Sequence, residues 1–390
     1  MTLTLSLACL ALLALAVTTL QVIHVVRLRR GAVPAPAIRP FVSILKPLAG
    51  LDAGLEENLV SFACLEGLSY EVVLSVADAG DPALAAVENV RRRFPDAPFT
   101  LVIGGELPGR FQNRKVERLE AAAWRARGEI YLISDSNVRV EPRDVARTLA
   151  LFEDPRVGLV SNVFVAEDAR SLGARIEALH LLTFVLPGAA IAAAHGVACV
   201  VGKSMALRRG VLEEIGGFAA VGNVLGEDQA LGLAVQRAGY RVLLSPVVAR
   251  NVLGERTAAQ ALARQVRWGK IRYAFSRATY ASEVLTNPLP LAIAAFLAAG
   301  SAAPAWLAAT AALGSVTLLA RVLQALVLDR VTGGYLGRGT AWLMPLKDLL
   351  QLGTWIEPFL SREVEWHGHR ARLGRGTRLL PSRRRLAAAA

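Results

Sequence analysis

The stretch Ile130-Tyr131-Leu132-Ile133-Ser134-Asp135-Ser136-Asn137 decides the fold of this chain. An apolar, partly β-branched run that ends on a carboxylate is typical of a buried strand followed by a loop. Similar runs predict strands at residues 41–45, 72–76, 99–103, 130–134 and 157–163. Helical stretches lie among them at residues 55–65, 82–94, 114–127 and 142–152. Alternating strands and helices predict an α/β domain with a mainly parallel sheet and helices on both faces.

Acidic residues at the ends of these strands are candidate site residues, because ligands of such sheets bind at the carboxyl ends of the strands. Asp135 is predicted to ligate a hard divalent cation that bridges diphosphate oxygens. A loop-capping role is the alternative for Asp135. Asp78 also follows a strand, and we expect it to bind the base or ribose of a nucleotide. Asp81, which precedes Pro82, is expected to cap the next helix.

Two further motifs lie later in the chain. Glu227-Asp228 begins a predicted helix after a glycine-rich stretch, and Asp228 is a candidate general base. Acidic residues in a first turn also complement the helix dipole, which is the structural alternative. The stretch Arg264-Gln265-Val266-Arg267-Trp268 places Arg264, Arg267 and Trp268 on one helical face. Two guanidinium groups beside an indole predict a clamp for diphosphate, with a basic helix at the membrane surface as the alternative.

The composition indicates a protein that is partly in a membrane and partly in water. Of 390 residues, 54% are hydrophobic, yet 19% are charged. Residues 3–26 are almost entirely apolar and long enough to span a bilayer, so residues 1–30 are predicted to form a retained anchor. Arg27, Arg29 and Arg30 follow at once, and the positive-inside tendency then places the following domain in the cytoplasm.

The C-terminal part is apolar again. Residues 285–328 are long enough for two spans, at 289–309 and 311–328, with Gly314 and Ser315 near the break. Residues 340–360 are interrupted by charged side chains, so we predict an interfacial or re-entrant helix, with a third span as the alternative. The predicted domains are an anchor at 1–30, a catalytic domain at 41–280, two transmembrane helices at 285–330 and an interfacial helix with a basic cytoplasmic tail at 331–390.

The net charge of +12 is compatible with nucleic acid, an anionic membrane or a phosphate-bearing substrate. No nucleic-acid module is visible, and much of the excess lies at the ends of apolar stretches, which favours the membrane. Cys9, Cys64 and Cys199 have neither a disulfide framework nor a metal-ligand spacing, which indicates a reducing compartment. The Ala- and Arg-rich usage predicts a bacterial protein of the inner membrane. No sequence feature indicates an oligomeric state.

Taken together, these motifs resemble the ceramide glucosyltransferases. The resemblance covers residues 41–273 and rests on Lys46-Pro47-Leu48, Asp78, Asp135-Ser136-Asn137-Val138-Arg139-Val140, Glu227-Asp228 and the Arg264–Trp268 motif. It recurs in Val364-Glu365-Trp366-His367-Gly368-His369, which looks like the Trp-x-Gly ending of that family. The resemblance implies a GT-A fold, UDP-glucose as donor, a divalent metal (Mg or Mn), and inverting transfer of glucose to the primary hydroxyl of ceramide.

The resemblance also implies roles for individual residues. Asp78 would bind the nucleotide, Asp135 the metal and diphosphate, and Asp228 would act as the base. The side chains of Arg264, Arg267 and Trp268 would meet the diphosphate and the acceptor, and His195 and Cys199 would lie near the acceptor. Asn137 occupies the second acidic position of the Asp-x-Asp pattern, so metal binding would depend on Asp135 and a partner supplied by the fold.

Three other functions fit parts of the pattern. A related transferase would add an N-acetylhexosamine to a hopanoid polyol, and its family shares most of these motifs. A processive polysaccharide synthase shares the Arg-Trp motif but would need more spans to build a channel. A non-enzymatic membrane scaffold is the third alternative, and wild-type activity of Asp228→Ala would favour it or a different base.

Overall fold

The computed structural model describes residues 1–34, 40–104, 109–300, 304–366 and 369–381. The α-helices are α1 (Thr2–Arg30), α2 (Leu55–Ala63), α3 (Ala83–Arg93), α4 (Arg114–Arg125), α5 (Asp144–Leu149), α6 (Leu172–His180), α7 (Leu186–Ala194), α8 (Arg209–Glu214), α9 (Glu227–Arg237), α10 (Ala258–Phe275), α11 (Arg277–Ser282), α12 (Pro288–Ala299), α13 (Pro304–Thr332) and α14 (Met344–Leu360). The strands are β1 (Val42–Pro47), β2 (Tyr70–Val76), β3 (Phe99–Ile103), β4 (Ile130–Ser134), β5 (Val138–Arg139), β6 (Val157–Ala169), β7 (Ser204–Arg208), β8 (Arg241–Gly254), β9 (Glu363–Trp366), β10 (His369–Leu373) and β11 (Leu379–Pro381).

The chain forms two compact units, each assembled from separate segments. The sheet unit comprises Leu28–Glu167 and Ala192–Gly254. The helical unit comprises Met1–Arg27, Asp168–Ile191 and Glu255–Ala390. The sequence-based domain boundaries, 41–280 above all, remain predictions.

An eight-stranded sheet in the order β3-β2-β1-β4-β7-β6-β8-β5 organises the sheet unit. Strands β3, β2, β1 and β4 are parallel, as predicted. Antiparallel pairing then joins β7 to both β4 and β6, and β5 to β8. The strands β1 and β4 are buried along their whole length, as expected of parallel strands that are covered on both faces.

The predicted helices of this unit are present, with small differences at their ends. The helices α2, α3 and α4 cover the predicted stretches, whereas residues 142–152 form the short α5 followed by a 3₁₀ turn at Ala150–Glu153. The capping role predicted for Asp81 is confirmed, because its Oδ1 accepts the backbone N–H of Ala83 at 2.9 Å. The same oxygen accepts the N–H of Gly50 at 2.9 Å, which ties the start of α3 to the loop after β1.

Within the helical unit, the predicted division of residues 285–328 is wrong. The helix α12 ends at Ala299, and α13 runs without a break through Gly314 and Ser315. Pro304 begins α13, because a proline lacks only an N–H that the first turn leaves unpaired in any case. A glycine inside a long helix costs only about 1 kcal/mol, so Gly314 does not end it.

Three helices in the described part of the chain are long and apolar enough to cross a membrane: Thr2–Arg30, Leu172–Ala194 and Pro304–Thr332. The first contains the predicted anchor. The second was not predicted. It joins α6 to α7 through a π-helical turn at Leu181–Val185. Of its most apolar 18-residue stretch, 67% is buried within the protein. The segments Arg277–Thr286 and Pro288–Ala299 form a further apolar pair bent by 69°.

The predicted helix at 340–360 consists of a 3₁₀ turn at Thr340–Leu343 followed by the 17 residues of α14. The charged side chains that interrupt its apolar pattern are paired, since Asp348 bonds both Arg321 and Lys347. After α14, the strands β9, β10 and β11 form a small antiparallel sheet. His367 and Gly368 of the Trp-x-Gly ending lie outside the described residues.

Candidate active site

Asp135 lies at the carboxyl end of β4, as predicted, and it meets two lysines. Lys115 Nζ is 2.8 Å from Asp135 Oδ1, and Lys203 Nζ is 3.0 Å from Oδ2. Lys115 is on α4, while Lys203 directly precedes β7, whose antiparallel pairing with β4 brings it to this edge. Burial by itself raises the pKa of Asp135, but the two ammonium groups outweigh it and hold that pKa well below its ordinary value.

Lys115 links the two acidic motifs of the sheet unit. Its Nζ is also 3.0 Å from Glu227 Oε1, at the start of α9. Burial lowers the pKa of Lys115, but Asp135, Glu227 and Asp228 outweigh this effect, so the pKa is raised and the ammonium group keeps its proton. A cation that is paired with two carboxylates can be shared with the oxygens of an incoming diphosphate.

Asn137 has a clear role in this arrangement. Its Oδ1 accepts a hydrogen bond from Lys203 Nζ at 2.9 Å. An amide oxygen at this position holds Lys203 without adding a second negative charge beside Asp135, which explains how the site accommodates the departure from Asp-x-Asp.

Lys46 contacts the end of β4 and the residue that follows it. The side chain is fully buried, and its Nζ donates to the Asp135 carbonyl at 2.9 Å and to Ser134 Oγ at 3.2 Å. It also lies 4.0 Å from the centre of the Phe62 ring. Burial lowers the pKa of Lys46 to about 7, although the charge of Asp135 opposes this shift. These contacts fix the backbone that presents the Asp135 carboxylate.

Asp228 lies in the first turn of α9, and two backbone N–H groups donate hydrogen bonds to it. Its Oδ2 accepts the N–H of Gly202 at 2.6 Å, and its Oδ1 accepts the N–H of Gln229 at 2.8 Å. Burial raises the pKa of Asp228 to about 6, with Glu227 adding to the shift and Lys115 opposing it. A carboxylate with such a pKa is suited to accept a proton near neutral pH.

The close approach of Gly202 to Asp228 favours a glycine. A Cβ at this position would lie 3.0 Å from Asp228 Cβ and 3.3 Å from Lys115 Nζ. Gly202 therefore lets the loop before β7 reach both the candidate base and the lysine that contacts Asp135.

Asp78 follows β2 on the same carboxyl edge of the sheet, and β1 separates β2 from β4. The side chain is exposed, and its Oδ1 accepts the N–H of Gly80 at 2.8 Å. Asp78 thus has a local role in closing a turn, which the sequence did not indicate. Its role in nucleotide binding remains a prediction.

His195 and Cys199 belong to the loop that joins α7 to β7. This loop is attached to α9 by Gln229, whose side chain accepts the N–H of Val200 and donates to the Ala198 carbonyl, each at 2.8 Å. The structure therefore brings the loop of His195 and Cys199 to the helix that carries Asp228. Their role near an acceptor remains a prediction.

The Arg264–Trp268 motif lies on α10 in the helical unit. The Arg264 guanidinium is 5.4 Å from the centre of the Trp268 ring, and its Nη1 is 3.4 Å from Glu177 Oε1. Burial lowers the pKa of Arg267 to about 10, and the charge of Arg264 adds to this shift. The predicted shared face is thus seen directly for Arg264 and Trp268, while donor binding by the three side chains remains a prediction.

The metal-ligating side chains of the site suit a metal ion that is bound together with a substrate diphosphate. Within the described ranges, no group of three or more His, Cys, Asp or Glu side chains could hold a metal ion by itself. Asp135 offers one carboxylate, and magnesium-type ions are commonly held by one or two carboxylates together with substrate phosphates and water. The residues present therefore fit a metal that arrives with a diphosphate.

Sequence reasoning missed Lys115 and Lys203 as members of this site. Neither lies in a recognisable motif: Lys115 is in the first turn of α4, which Asn113 caps, and Lys203 follows a glycine before a short strand. The available signal was the excess of positive charge beside the acidic motifs, which does not single out any one lysine.

A family model matches almost the whole chain, from residue 6 to residue 379. The chain belongs to glycosyl transferase family 21. The family expected from the motifs is confirmed.

Several known proteins are similar in sequence to this chain. Ceramide glucosyltransferases 1 and 3 of Caenorhabditis elegans are each 28% identical to it, over 268 and 242 residues, or 66% and 60% of this chain. The matches span only 56% and 51% of those two proteins, about half their length. An N-acetylglucosaminyltransferase of Rhizobium meliloti (strain 1021) is 25% identical over 301 residues, covering 74% of this chain and 68% of that protein.

One solved structure supports the fold. The mannosyltransferase PcManGT from Pyrobaculum calidifontis, solved with GDP-Man and Mn2+, has a TM-score of 0.58 and 20% identity. The likeness covers 90% of this chain and 99% of that chain. The predicted GT-A class with N- and C-terminal apolar helices is confirmed. With its long apolar helices, the chain is a membrane-associated glycosyltransferase.

Proposed function

We propose that this enzyme transfers glucose from UDP-glucose to the primary hydroxyl of ceramide, with inversion, at the cytoplasmic surface of a bacterial inner membrane. The observation that carries the proposal is the position of Asp228: a carboxylate with a pKa of about 6 lies in the first turn of α9, while the neighbouring Glu227 shares Lys115 with Asp135. The similarity to ceramide glucosyltransferases supports the choice of donor and acceptor.

The reaction would proceed as one displacement. Asp228 takes the proton from the lipid hydroxyl, and the resulting oxygen forms a bond to the anomeric carbon as the bond from that carbon to the UDP oxygen breaks. UDP leaves with the electron pair of that bond. Lys115 and Lys203 supply ammonium groups to the diphosphate oxygens, and such charge-assisted hydrogen bonds strengthen as negative charge builds on the leaving group.

The other predicted residues would serve binding. Asp78 would hold the nucleotide, and Arg264, Arg267 and Trp268 would bind the diphosphate and acceptor. His195 and Cys199 would lie near the lipid. A divalent metal (Mg or Mn), which Asp135 would hold, would supply further positive charge to the diphosphate.

The reason for placing this chemistry in a membrane protein is the acceptor. A lipid with two chains leaves a bilayer only at a large hydrophobic cost, so the enzyme must work where the hydroxyl already lies. The apolar helices of the chain fit this requirement.

A second function is favoured by the match to the N-acetylglucosaminyltransferase, which spans more than two thirds of both proteins. In this case the donor would carry an N-acetylhexosamine, and the acceptor would be a hopanoid polyol. The site chemistry would be the same.

A direct assay separates these functions. The purified full-length protein is given UDP-glucose or UDP-N-acetylglucosamine with ceramide or a hopanoid polyol, and the lipid products are identified by mass spectrometry. We expect hexosylceramide from UDP-glucose and ceramide, and none from Asp228→Asn. A product found only with UDP-N-acetylglucosamine and the hopanoid would replace the first function by the second.

A further inference from the structure

A cavity of about 420 Å³ lies within the helical unit, where the last turn of α10 meets the end of α14 and the tail strands. None of the residues assigned above to sugar transfer lines it. Cavities of roughly 300–1,000 Å³ are the usual size for small-ligand sites. Its lining therefore indicates what else this protein binds.

The lining is strongly basic. Four basic residues contribute to it, and none of the described residues that line it is acidic: Lys270, Arg277, Arg362 and Arg375 are the basic ones. The charge of Lys270 is already paired, since its Nζ is 2.9 Å from Glu357 Oε1. The same Nζ donates a hydrogen bond to the Glu363 carbonyl. The three arginines are exposed, and among the described residues none of them is in an ion pair.

The fold of the tail brings two of these arginines together. The N–H of Leu373 donates to the Arg362 carbonyl at 2.9 Å, so the second tail strand returns to the end of α14. Gly376, with φ of +59°, then allows the tight turn that presents Arg375. The backbone that carries these two arginines is thus held by a hydrogen bond between α14's end and the tail.

Aromatic and apolar side chains border the cavity. Tyr273 packs edge-on against Tyr280 and Phe359, with ring centres 5.6 and 5.3 Å apart. Phe359 and Leu360 are 41% and 79% exposed. Arg277 begins the bent pair of helices that is apolar enough to enter a membrane. Aromatic side chains beside basic ones are typical of the membrane–water interface.

The cavity lies on a different face of α10 from the Arg264–Trp268 motif. Successive residues of an α-helix are rotated by about 100° around its axis. The mean direction of the cavity-lining residues of the helix body, Lys270, Tyr273 and Ala274, is therefore roughly 120° away from that of the motif residues Arg264, Arg267 and Trp268. One diphosphate cannot be bound by both faces, so the cavity is a separate site.

We propose that this cavity binds the phosphate group of an anionic membrane phospholipid. Guanidinium groups bind phosphate oxygens through paired hydrogen bonds. A bound lipid phosphate would hold α10, α14 and the tail at the bilayer surface. Because the same chemistry would accept a soluble phosphate, the test separates the two sources.

The experiment uses the full-length protein in nanodiscs of phosphatidylcholine mixed with phosphatidylglycerol. Native mass spectrometry after release counts the phosphatidylglycerol molecules that stay bound. The variant is Arg362→Gln with Arg375→Gln. The control is Arg330→Gln with Arg338→Gln, an equal change of charge at exposed arginines of the same unit that do not line the cavity.

We expect the double variant to bind phosphatidylglycerol on the order of thirtyfold more weakly than wild type, and the control to bind like wild type. Equal retention by wild type and the Arg362→Gln, Arg375→Gln variant would overturn the proposal. Equally tight binding of inorganic phosphate by lipid-free protein in detergent would overturn the lipid assignment. The readout does not require transferase activity, so its outcome is independent of the proposed reaction.

Discussion

At the residue scale, the chemistry depends on how burial and neighbouring charges shift the pKa values of the two carboxylates Asp135 and Asp228 in opposite directions. Asp135 is paired with two lysines and stays ionised, whereas Asp228 accepts hydrogen bonds from two backbone N–H groups and has a pKa raised to about 6. Two carboxylates in unlike surroundings can take different roles, one in binding charge and one in accepting a proton.

The raised pKa of Asp228 predicts how activity depends on pH. A base must be deprotonated, so kcat/KM should fall about tenfold per pH unit below pH 6 and level off above it. The check is a pH profile with subsaturating donor and acceptor. In Lys115→Met, the fall of kcat/KM should begin at a higher pH, because the charge of Lys115 opposes the rise in the pKa of Asp228. A flat profile from pH 5 to pH 8 would rule out Asp228 as the base.

Lys203 provides a second prediction at this scale. Its ammonium group lies 3.0 Å from Asp135 Oδ2 and 2.9 Å from Asn137 Oδ1. Lys203→Met should raise the KM for the donor by roughly tenfold to a hundredfold, since hydrogen bonds to charged groups are worth about 1.5–3 kcal/mol. The acceptor KM should change little. Arg91→Met, an exposed cation on α3, serves as the control, and a donor KM that does not change would contradict the role of Lys203.

At the element scale, a buried ion cluster joins α13 to α14. Arg321 Nε is 3.0 Å from Asp348 Oδ2, and Lys347 Nζ is 3.1 Å from Oδ1, with all three side chains almost fully buried. Gln324 extends the cluster to α1 by donating to Thr18 and Thr19. Charged side chains in apolar helices persist only when they are paired in this way.

Breaking this cluster should therefore destabilise the helical unit in a ranked order. Asp348→Ala leaves both cations unpaired and should lower the free energy of unfolding by about 3–5 kcal/mol. Arg321→Met should cost less, because Asp348 keeps Lys347. Thermal unfolding in detergent measures both variants. Equal losses, or a larger loss for Arg321→Met, would contradict the pairing.

Two glycines test the packing of α6 against α10. A Cβ on Gly173 would lie 2.4 Å from the carbonyl carbon of Thr257, whereas a Cβ on Gly188 would meet nothing within 4 Å. Gly173→Ala should destabilise by about 1–3 kcal/mol through overpacking. Gly188→Ala should be neutral or stabilise by up to about 1 kcal/mol. The same unfolding measurement compares them, and a harmless Gly173→Ala would show that α6 and α10 are not in close contact.

At the scale of the whole molecule, the proposed function requires the site to lie on the cytoplasmic side of the membrane. Arg27, Arg29 and Arg30 at the end of α1 favour the cytoplasm. Cys64 is exposed in the sheet unit, so it reports the side on which that unit lies.

With Cys9→Ser and Cys199→Ser in place, a membrane-impermeant maleimide should label Cys64 only after the inner membrane is permeabilised. A cysteine placed at the opposite end of α1, in Thr2→Cys with Cys64→Ser added, should be labelled in intact spheroplasts. Labelling of Cys64 in intact spheroplasts would reverse the proposed orientation. Carbonate washing of the membranes provides a separate check, since an anchored protein stays in the pellet.

Residue order alone was enough to predict the alternating strands and helices, the helical N-terminal segment, and the position of Asp135 and Asp228 at element ends. These features depend on local hydrophobic periodicity, which neighbouring residues carry. The sequence also indicated the family, because its motifs occur in a fixed order.

Other features of the site depend on how distant segments pack. Lys115 and Lys203 lie far from Asp135 along the chain and meet it because α4 packs on the sheet and β7 pairs with β4. The pKa of Asp228 follows from burial that no local pattern encodes. The basic cavity depends likewise on contacts between distant segments, since the tail returns to the end of α14. Non-local packing sets such distances and burial, and neither can be read from residue order.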